Sequence, residues 1–503
     1  MGIVFRQSAK NTIVSALGAV LGALVIWLST KYTTKQELGF SRNLTNYAVT
    51  FSQLLLVGLN STLVVYIHRY ANEERKRKSL ITLSLIIPLV TAILFTIVYF
   101  LLKPWILAHF QPDDVPFMQR YFMWLPVFII LFIYSIILEQ YLCSQLKVAV
   151  SAFMREVVLR AANIIVILLY GFGYISFDAL VAGTVLIYIL PVLIFLLLAL
   201  RLENFGFSFG LRHFSAGEYK EMGHFAWYHF LLSISFLMMS YMDALALPFY
   251  DHKGFSSVAI YQVAVFLISF MQLPSKALLP ASFTVLAKAF SDNDMEKARD
   301  IFVRASINIF IPCVGVAVLL CCNLDNAVAV IKNDYAEIVP VFLILFIGRL
   351  FELATGMNDQ VLSIAKYYKF NFYLSLLLVV VLFLLLRVLV PLYGIYGAAW
   401  SSTAIIILFN FIKLLFVWKK LDMQPFSRNT LLVVVAALPA LAAGYLFPHL
   451  LDQSRHTYVR TFADVCMRST IIVIVYMLML WWLKPSKDLR EYIASVKKNK
   501  RLF

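Results

Sequence analysis

Charged residues are scarce in this sequence. Asp, Glu, Lys and Arg make up 14% of the 503 residues, whereas a soluble globular domain carries about 25%. Hydrophobic residues account for 62%. Apolar runs recur from Asn11 to Leu483, each near the roughly 20 residues that a helix needs to cross a bilayer. These features exclude a soluble domain and predict an all-α polytopic membrane protein.

Motifs of enzyme chemistry are also missing. The sequence has no Gly-rich phosphate-binding loop ending in Lys-Ser/Thr, which argues against ATP hydrolysis. No group of His, Cys and carboxylate residues has metal-site spacing, and no segment between the apolar runs exceeds about 25 residues, too few for a soluble catalytic domain. We therefore expect neither an enzyme nor a cofactor or metal. The five cysteines are expected to be small buried hydrophobes: Cys143, Cys313, Cys321, Cys322 and Cys466.

The positive net charge of +16 does not indicate a nucleic-acid partner, because such binding needs Lys and Arg clustered on one folded face. The positive residues concentrate instead in short loops and the tail, as in 69–78 and 484–501. These segments share the side of the N-terminus, so the positive-inside rule predicts that both termini are cytoplasmic. The apolar stretch 12–29 is long enough to span, and we expect it to be an uncleaved first helix.

Hydropathy divides the chain into about fourteen transmembrane helices. An even number places both termini on one side of the membrane. The predicted spans are 11–30, 44–67, 79–102, 119–142, 155–174, 179–200, 226–248, 257–281, 305–323, 338–357, 371–391, 394–417, 429–448 and 463–483.

Two short correspondences predict an internal repeat. Gly39-Phe40-Ser41 opens the second span and Gly254-Phe255-Ser256 opens the eighth, about 215 residues later. Asp178-Ala179 with Thr184 in the sixth span matches Gly397-Ala398 with Thr403 in the twelfth, about 219 residues later.

The repeat predicts two six-helix lobes in the same orientation, with a cavity at their interface. We expect an N-terminal lobe over 1–204, a linker and C-terminal lobe over 205–420, and two further helices with a basic tail over 421–503.

Ionisable residues inside spans are candidate site residues, since each costs roughly 2.5 to 3.5 kcal/mol at a helix centre. Arg349 is the most central, and Glu352 follows on the same helical face. A structural ion pair and a substrate role are equally supported for these two residues. Asp243 lies in the seventh span. Lys276 follows Pro274 in the eighth, where either cavity lining or snorkelling to the cytoplasmic surface fits.

Other polar residues are weaker candidates. Arg160 lies near a span end and is a candidate cavity cation. Three other charged residues near span ends are expected to snorkel to the headgroups. Gln53 and Asn60 are seven residues apart, so on a continuous helix they share a face and line one cavity, or form helix-helix hydrogen bonds. The three snorkelling residues are Glu139, Arg387 and Arg468.

Five segments together resemble bacterial polysaccharide-biosynthesis flippases of the O-antigen type. These flippases are the oligosaccharide-lipid branch of the multidrug/oligosaccharidyl-lipid/polysaccharide (MOP) exporter superfamily. The resemblance extends over nearly the whole chain, including the twelve-plus-two helix layout. The segments are 6–12 (RQSAKNT), 37–39 (ELG), 273–278 (LPSKAL), 352–358 (ELATGMN) and 391–399 (PLYGIYGAA).

The resemblance implies a MATE-like fold in the bacterial inner membrane. It implies transfer of polyprenyl-pyrophosphate-linked oligosaccharides across the bilayer, by alternating access, for surface polysaccharides such as lipopolysaccharide. Arg349, Lys276 and Arg160 would then meet the anionic substrate, since Arg and Lys bind phosphate oxygens. Asp243 or Glu352 would couple transport to H⁺ or Na⁺, and polysaccharide assembly proteins would be partners.

Four alternatives remain open from the sequence. Within the flippase class, the cargo can instead be a lipid-linked peptidoglycan precursor. A multidrug or organic-cation antiporter of the same superfamily would share the fold, although such substrates favour cavities dominated by carboxylates. A membrane-embedded polysaccharide polymerase or glycosyltransferase is disfavoured by the short non-cytoplasmic loops. A passive scramblase or assembly scaffold has no distinguishing sequence feature.

Overall fold

The structure is a computed structural model. It describes residues 2–202, 205–210, 213–331, 335–365, 367–447, 458–486, 488 and 490–491. The side chains of 2–13, 15–16, 368 and 458 lie outside this description. The motif at 6–12 therefore lies outside the described side chains.

The described residues are helical and contain no strand. Helices α1 to α22 are Gly2–Tyr32, Lys35–Leu55, Leu59–Arg69, Glu74–Leu101, Lys103–Ala108, Val115–Tyr121, Trp124–Ser144, Val148–Phe153, Leu159–Gly171, Phe177–Leu186, Ile189–Leu200, Ala216–Tyr250, Phe255–Ser269, Leu273–Ser291, Met295–Cys322, Leu324–Ile331, Ile338–Ala354, Asn358–Ile364, Tyr368–Tyr393, Ile395–Leu421, Arg428–Leu446 and Tyr458–Leu483. A π-helix, Met154–Val158, precedes α9, and a 3-10 turn, Phe270–Gln272, joins α13 to α14.

The helices confirm an all-α polytopic membrane protein. Within the described residues, ten helices are long and apolar enough to cross a membrane, or up to twelve if each of two bent pairs counts as one span. Large apolar side chains on α4 are exposed, among them Leu94, Ile97 and Leu101; in a bilayer they contact lipid rather than water. The count of fourteen stays a prediction.

Two helix pairs are sharply bent, one inside the predicted second span, 44–67, and one at the end of the predicted tenth span, 338–357. α2 and α3 meet at 48°, and α17 and α18 meet at 46°. The first break contains Val57 and Gly58, both with positive φ, and the second contains Gly356, with φ of 67°. Glycine adopts this conformation without the steric cost of a Cβ. Breaks release backbone hydrogen-bonding groups, which membrane proteins tolerate where protein or a water-filled cavity satisfies them.

A third interruption lies at the position that the predicted repeat requires. The 3-10 turn at Phe270–Gln272 interrupts the eighth predicted span, and an offset of about 215 residues carries Val57 of the first break onto Gln272. By their contacts, the residues form two compact units, Met1–Ala259 and Ile260–Phe503, called unit 1 and unit 2 below. The lobe boundaries predicted from the repeat stay predictions.

In unit 1, the two copies of the Gly-Phe-Ser motif lie against each other. The ring of Phe40 is 5.4 Å from that of Phe255, edge to face, and 5.2 Å from that of Tyr121. Aromatic pairs in this range contribute about 0.5–1.5 kcal/mol beyond their burial. The carboxylate of Asp114 accepts hydrogen bonds from Gln36 Nε2 at 2.9 Å and from the Phe255 backbone N–H at 2.7 Å. The start of α13 is thereby held against α2 and the start of α6.

In unit 2, a buried ion pair within α22 contacts the C-terminal end of α21. Arg468 and Asp464 are 1% and 0% exposed, with Nη2 and Oδ2 3.2 Å apart. Arg468 also donates to the carbonyls of Gly444 and Phe447, which are among the groups that a helix leaves unpaired at its C-terminus. The expectation that Arg468 snorkels is therefore wrong: its guanidinium satisfies the end of α21.

Candidate functional site

A polar cavity of about 110 Å³ lies in unit 1 among α1, α2, α9 and the α10–α11 region. Arg42 lines it and makes no ion pair or hydrogen bond with any described residue. Arg160 and Tyr188 are close enough to Arg42 to act on it electrostatically. The cavity thus holds a cation without a carboxylate partner. Its other polar lining residues are Ser29, Thr33, Ser41, Thr45, Asn163, Thr184 and Tyr188.

Arg42 was missed because the predicted second span begins at residue 44. The structure starts α2 at Lys35, after a capping box in which Thr34 accepts from the Glu37 backbone N–H and Glu37 accepts from that of Thr34. This Thr-x-x-Glu signal was present in the sequence. It makes Arg42 part of a helix rather than of a loop.

Arg160 already has protein partners. Its guanidinium pairs with Glu156 at 2.7 Å and donates to the Gly18 carbonyl of α1. Glu156 belongs to the π-helix before α9. A role for Arg160 as a cavity cation stays a prediction.

A second polar cavity, of about 200 Å³, lies in unit 2 at the break between α17 and α18. It brings together two predicted site residues, Lys276 of α14 and Glu352 of α17, together with Asp359 of α18. Lys276 is exposed and makes no ion pair or hydrogen bond with any described residue. We call this space the α17–α18 cavity.

Arg349 and Glu352 form the ion pair expected from their spacing. Their side chains are 2.6 Å apart, Nη1 to Oε2, and are 31% and 34% exposed. The geometry is therefore that of a local pair at the cavity edge, and binding of substrate by Arg349 stays a prediction.

Lys413 of α20 is a buried cation that the sequence analysis did not single out. Its Nζ lies 2.9 Å from both carboxylate oxygens of Asp359 and 3.8 Å from the centre of the Phe409 ring. Asp359 is thus already neutralised. Since Glu352 pairs with Arg349, Lys276 is the cavity-lining charge with no opposite partner among the described residues.

The remaining candidates lie apart from these two cavities. Asp243 is buried in α12, and its Oδ1 accepts from the Ala244 backbone N–H at 2.7 Å. Gln53 and Asn60 are half-buried on either side of the α2–α3 break. The continuous helix that would give them a common face is interrupted between them. Their roles in coupling and cavity lining stay predictions.

Comparison with known proteins gives structural neighbours only. No protein-family model and no characterised protein sequence matches the chain. The lipid II flippase MurJ, in an inward closed conformation, aligns with a TM-score of 0.73 at 16% identity, covering 93% of this chain and 97% of MurJ. An inward-facing multidrug resistance MATE family transporter of the MOP superfamily aligns with a TM-score of 0.64 at 15% identity, covering 82% and 94%.

A third neighbour is a MOP superfamily transporter from Pyrococcus furiosus Vc1, described as having a binding pocket of reversed polarity. It aligns with a TM-score of 0.52 at 15% identity, covering 83% of this chain and 95% of its own. These identities are low, so the similarities show the fold. The chain has the MATE/MurJ-like fold found in MOP superfamily members.

Proposed function

We propose that this protein is a flippase that moves polyprenyl-pyrophosphate-linked oligosaccharides across the cytoplasmic membrane. A sugar chain and an anionic pyrophosphate cannot enter hydrocarbon unaided, so the protein must offer them polar, positively charged surfaces. The fold shared with MurJ and MATE proteins supports a transporter of this superfamily.

Arg42 is the observation that carries the proposal. An Arg within a membrane-embedded helix is costly unless it faces a partner or a water-filled cavity. Arg42 lines a cavity that supplies hydroxyl and amide groups but no carboxylate. The volume of about 110 Å³ corresponds to about four waters at ~30 Å³ each, the size range of one phosphate group. Arg binds phosphate oxygens in bidentate geometry.

An apolar groove in unit 2 suits the lipid part of such a substrate. It measures about 810 Å³ and lies between α15 and α22, with Pro312, Val316, Val473 and Met477 among its lining residues. A polyprenyl chain needs apolar contacts of this kind and no hydrogen bonds.

An organic-cation antiporter is the second candidate function. It is favoured by the carboxylates of Glu352 and Asp359 in the α17–α18 cavity and by the MATE neighbour. Both carboxylates are already paired, with Arg349 and Lys413. Among the residues that the structure describes, the charge without an opposite partner is therefore positive in each cavity. This balance favours an anionic substrate.

The same proposal includes the membrane location of the flippase, the orientation of its termini and the ion that drives it. Both termini lie in the cytoplasm, and the membrane is the bacterial inner membrane. H⁺ or Na⁺ drives transport through Asp243 or Glu352. Amide substitution of both carboxylates should then abolish the dependence on an ion gradient; an unchanged dependence would exclude them as the coupling groups.

Charge variants of Arg42 test the proposal in proteoliposomes. The assay measures how fast a lipid-pyrophosphate oligosaccharide becomes accessible on the opposite leaflet. Arg42→Ala should lower the transfer rate by about tenfold or more, because it removes a charge-assisted hydrogen bond of about 1.5–3 kcal/mol. Arg42→Lys keeps the positive charge and should retain part of the wild-type rate. Arg387→Ala is the control, since Arg387 is exposed on α19 and lines neither cavity. Equal rates for Arg42→Ala and wild type would mean that Arg42 no longer supports the proposed flippase function.

A further inference from the structure

The α17–α18 cavity is lined by side-chain amides that lack partners. Gln272, Asn358 and Gln360 all line it, and none makes a side-chain hydrogen bond to a described residue. They come from two segments: Gln272 ends the 3-10 turn before α14, and Asn358 and Gln360 belong to the first turn of α18. An amide offers both donors and an acceptor.

Asn358 is the least expected of these residues. It is 2% exposed, and neither its Nδ2 nor its Oδ1 has a hydrogen-bond partner among the described residues. Leaving a buried polar group unpaired costs about 1–3 kcal/mol, so it calls for an explanation such as a missing ligand. The buried hydroxyl of Ser306, packed against Gly356 at the same break, is unpaired as well.

The fourth side-chain amide of the lining, that of Asn410, is already satisfied within the protein. Asn410 donates to the Ile406 carbonyl at 2.8 Å and accepts from the Thr355 hydroxyl at 3.4 Å. The lack of a hydrogen-bond partner therefore distinguishes Gln272, Asn358 and Gln360 from the other amide in the lining. They lie beside the unpaired ammonium of Lys276.

Size and chemistry together define the ligand. The cavity volume of about 200 Å³ is below the roughly 300–1,000 Å³ of sites for drug-sized ligands. Unpaired amides match the hydroxyl groups of a sugar, each of which donates and accepts. Lys276 adds a single positive charge, which suits a carboxylate on the same small ligand.

We infer that the α17–α18 cavity binds one acidic sugar ring of the substrate, with its hydroxyls on Gln272, Asn358 and Gln360 and its carboxylate on Lys276. This inference rests on the proposed function, since it names a sugar that the translocated oligosaccharide carries. A uronic acid has the required combination of hydroxyls and one carboxylate.

Saturation-transfer NMR on the full-length protein in nanodiscs tests the inference. The probes are glucuronate, glucose and inorganic phosphate. Glucuronate should receive saturation from the wild type, and phosphate should not displace it fully. Asn358→Ala and Lys276→Met should each weaken glucuronate binding by about tenfold, the equivalent of one or two lost hydrogen bonds. Lys276→Met should leave the weaker glucose signal unchanged.

Asn323→Ala is the matched control. Asn323 is a half-buried asparagine of unit 2 that bonds Leu319 and Ser469 and lies outside the cavity, so its loss should not change sugar binding. Equal glucuronate signals from wild type, Asn358→Ala and Lys276→Met would overturn the inference. Full displacement by phosphate, with no glucose signal, would also overturn it, because the site would then bind any anion.

The two proposals fail in different ways. If glucuronate binds as expected but no lipid-linked oligosaccharide crosses the membrane, the sugar site stands and the flippase function falls. If a uronate-containing lipid-linked oligosaccharide crosses equally fast in wild type and in folded Asn358→Ala, the flippase function stands and the sugar site falls.

Discussion

Gly39 of α2 packs directly on the backbone of Phe255 at the start of α13. A Cβ added to Gly39 would overlap the carbonyl oxygen of Phe255. Each residue belongs to one copy of the Gly-Phe-Ser motif, so the two predicted repeat motifs touch each other. Glycine at position 39 is thus explained by close helix packing rather than by an unusual backbone conformation.

Substitution of Gly39 should destabilise unit 1. Gly39→Ala forces α2 and α13 apart, and overpacking of this kind costs about 1–3 kcal/mol. Thermal unfolding of the detergent-solubilised protein should show a lower midpoint. Gly223→Ala is the control, because a Cβ there meets no atom within 4 Å and alanine favours a helix. A Gly39→Ala midpoint equal to that of Gly223→Ala would show that the contact is not tight.

The buried pair of Arg468 and Asp464 should be important for the stability of unit 2. Arg468→Ala leaves the carboxylate of Asp464 buried and uncompensated, which costs about 3–5 kcal/mol. The double variant Arg468→Met/Asp464→Leu should recover much of the lost stability in the same unfolding measurement. Arg299→Ala, which breaks a surface pair with Asp422, should cost at most about 1 kcal/mol. If Arg468→Ala lowered the stability no more than Arg299→Ala does, this account would be contradicted.

Asp114 should make the stability of unit 1 depend on pH. Burial raises the pKa of the Asp114 carboxyl, and the hydrogen bonds from Gln36 and the Phe255 N–H only partly oppose this shift. A raised pKa in the folded state means that the stabilisation from Asp114 is complete below the ordinary value of about 3.9 and is lost as the pH rises through the folded pKa. The unfolding midpoint of wild type relative to Asp114→Asn should therefore fall as the pH rises. A constant or rising difference would exclude this linkage.

Glu352 and Lys276 should respond oppositely to neutralisation. For an anionic substrate, Lys276→Gln should raise the KM about tenfold through loss of a charged hydrogen bond, whereas Glu352→Gln should leave the KM unchanged or lower it. Substrate titrations in the leaflet-accessibility assay give the KM of each variant. An increase in KM for Glu352→Gln alone would indicate a cationic substrate instead.

Long apolar runs made the helical framework predictable from the sequence. Each predicted span overlaps a helix or a helix pair, because about 20 apolar residues give a strong signal whatever their neighbours. The breaks were missed, since Leu54, Leu55, Leu56 and Val57 stay apolar through the first of them. Hydropathy averages over such a turn, and only the glycines that follow mark it.

The candidate site was less predictable. Lys276 and Glu352 are far apart in the chain, and nothing in their local sequence indicates that they line one cavity. Lys413 lay near the end of a predicted span, but α20 continues to Leu421, which places it two turns inside the helix. Its pairing with Asp359 depends on how α18 packs against α20, a tertiary contact that a single sequence does not specify.

The most direct test of the proposed function compares two substrates in the same proteoliposomes. One experiment follows the transfer of a lipid-pyrophosphate oligosaccharide between leaflets, and the other follows gradient-driven efflux of an organic cation. We predict transfer of the anionic lipid at a rate well above that of protein-free vesicles, and no efflux of the cation. Efflux of the cation without transfer of the lipid would contradict the flippase and would identify a multidrug antiporter.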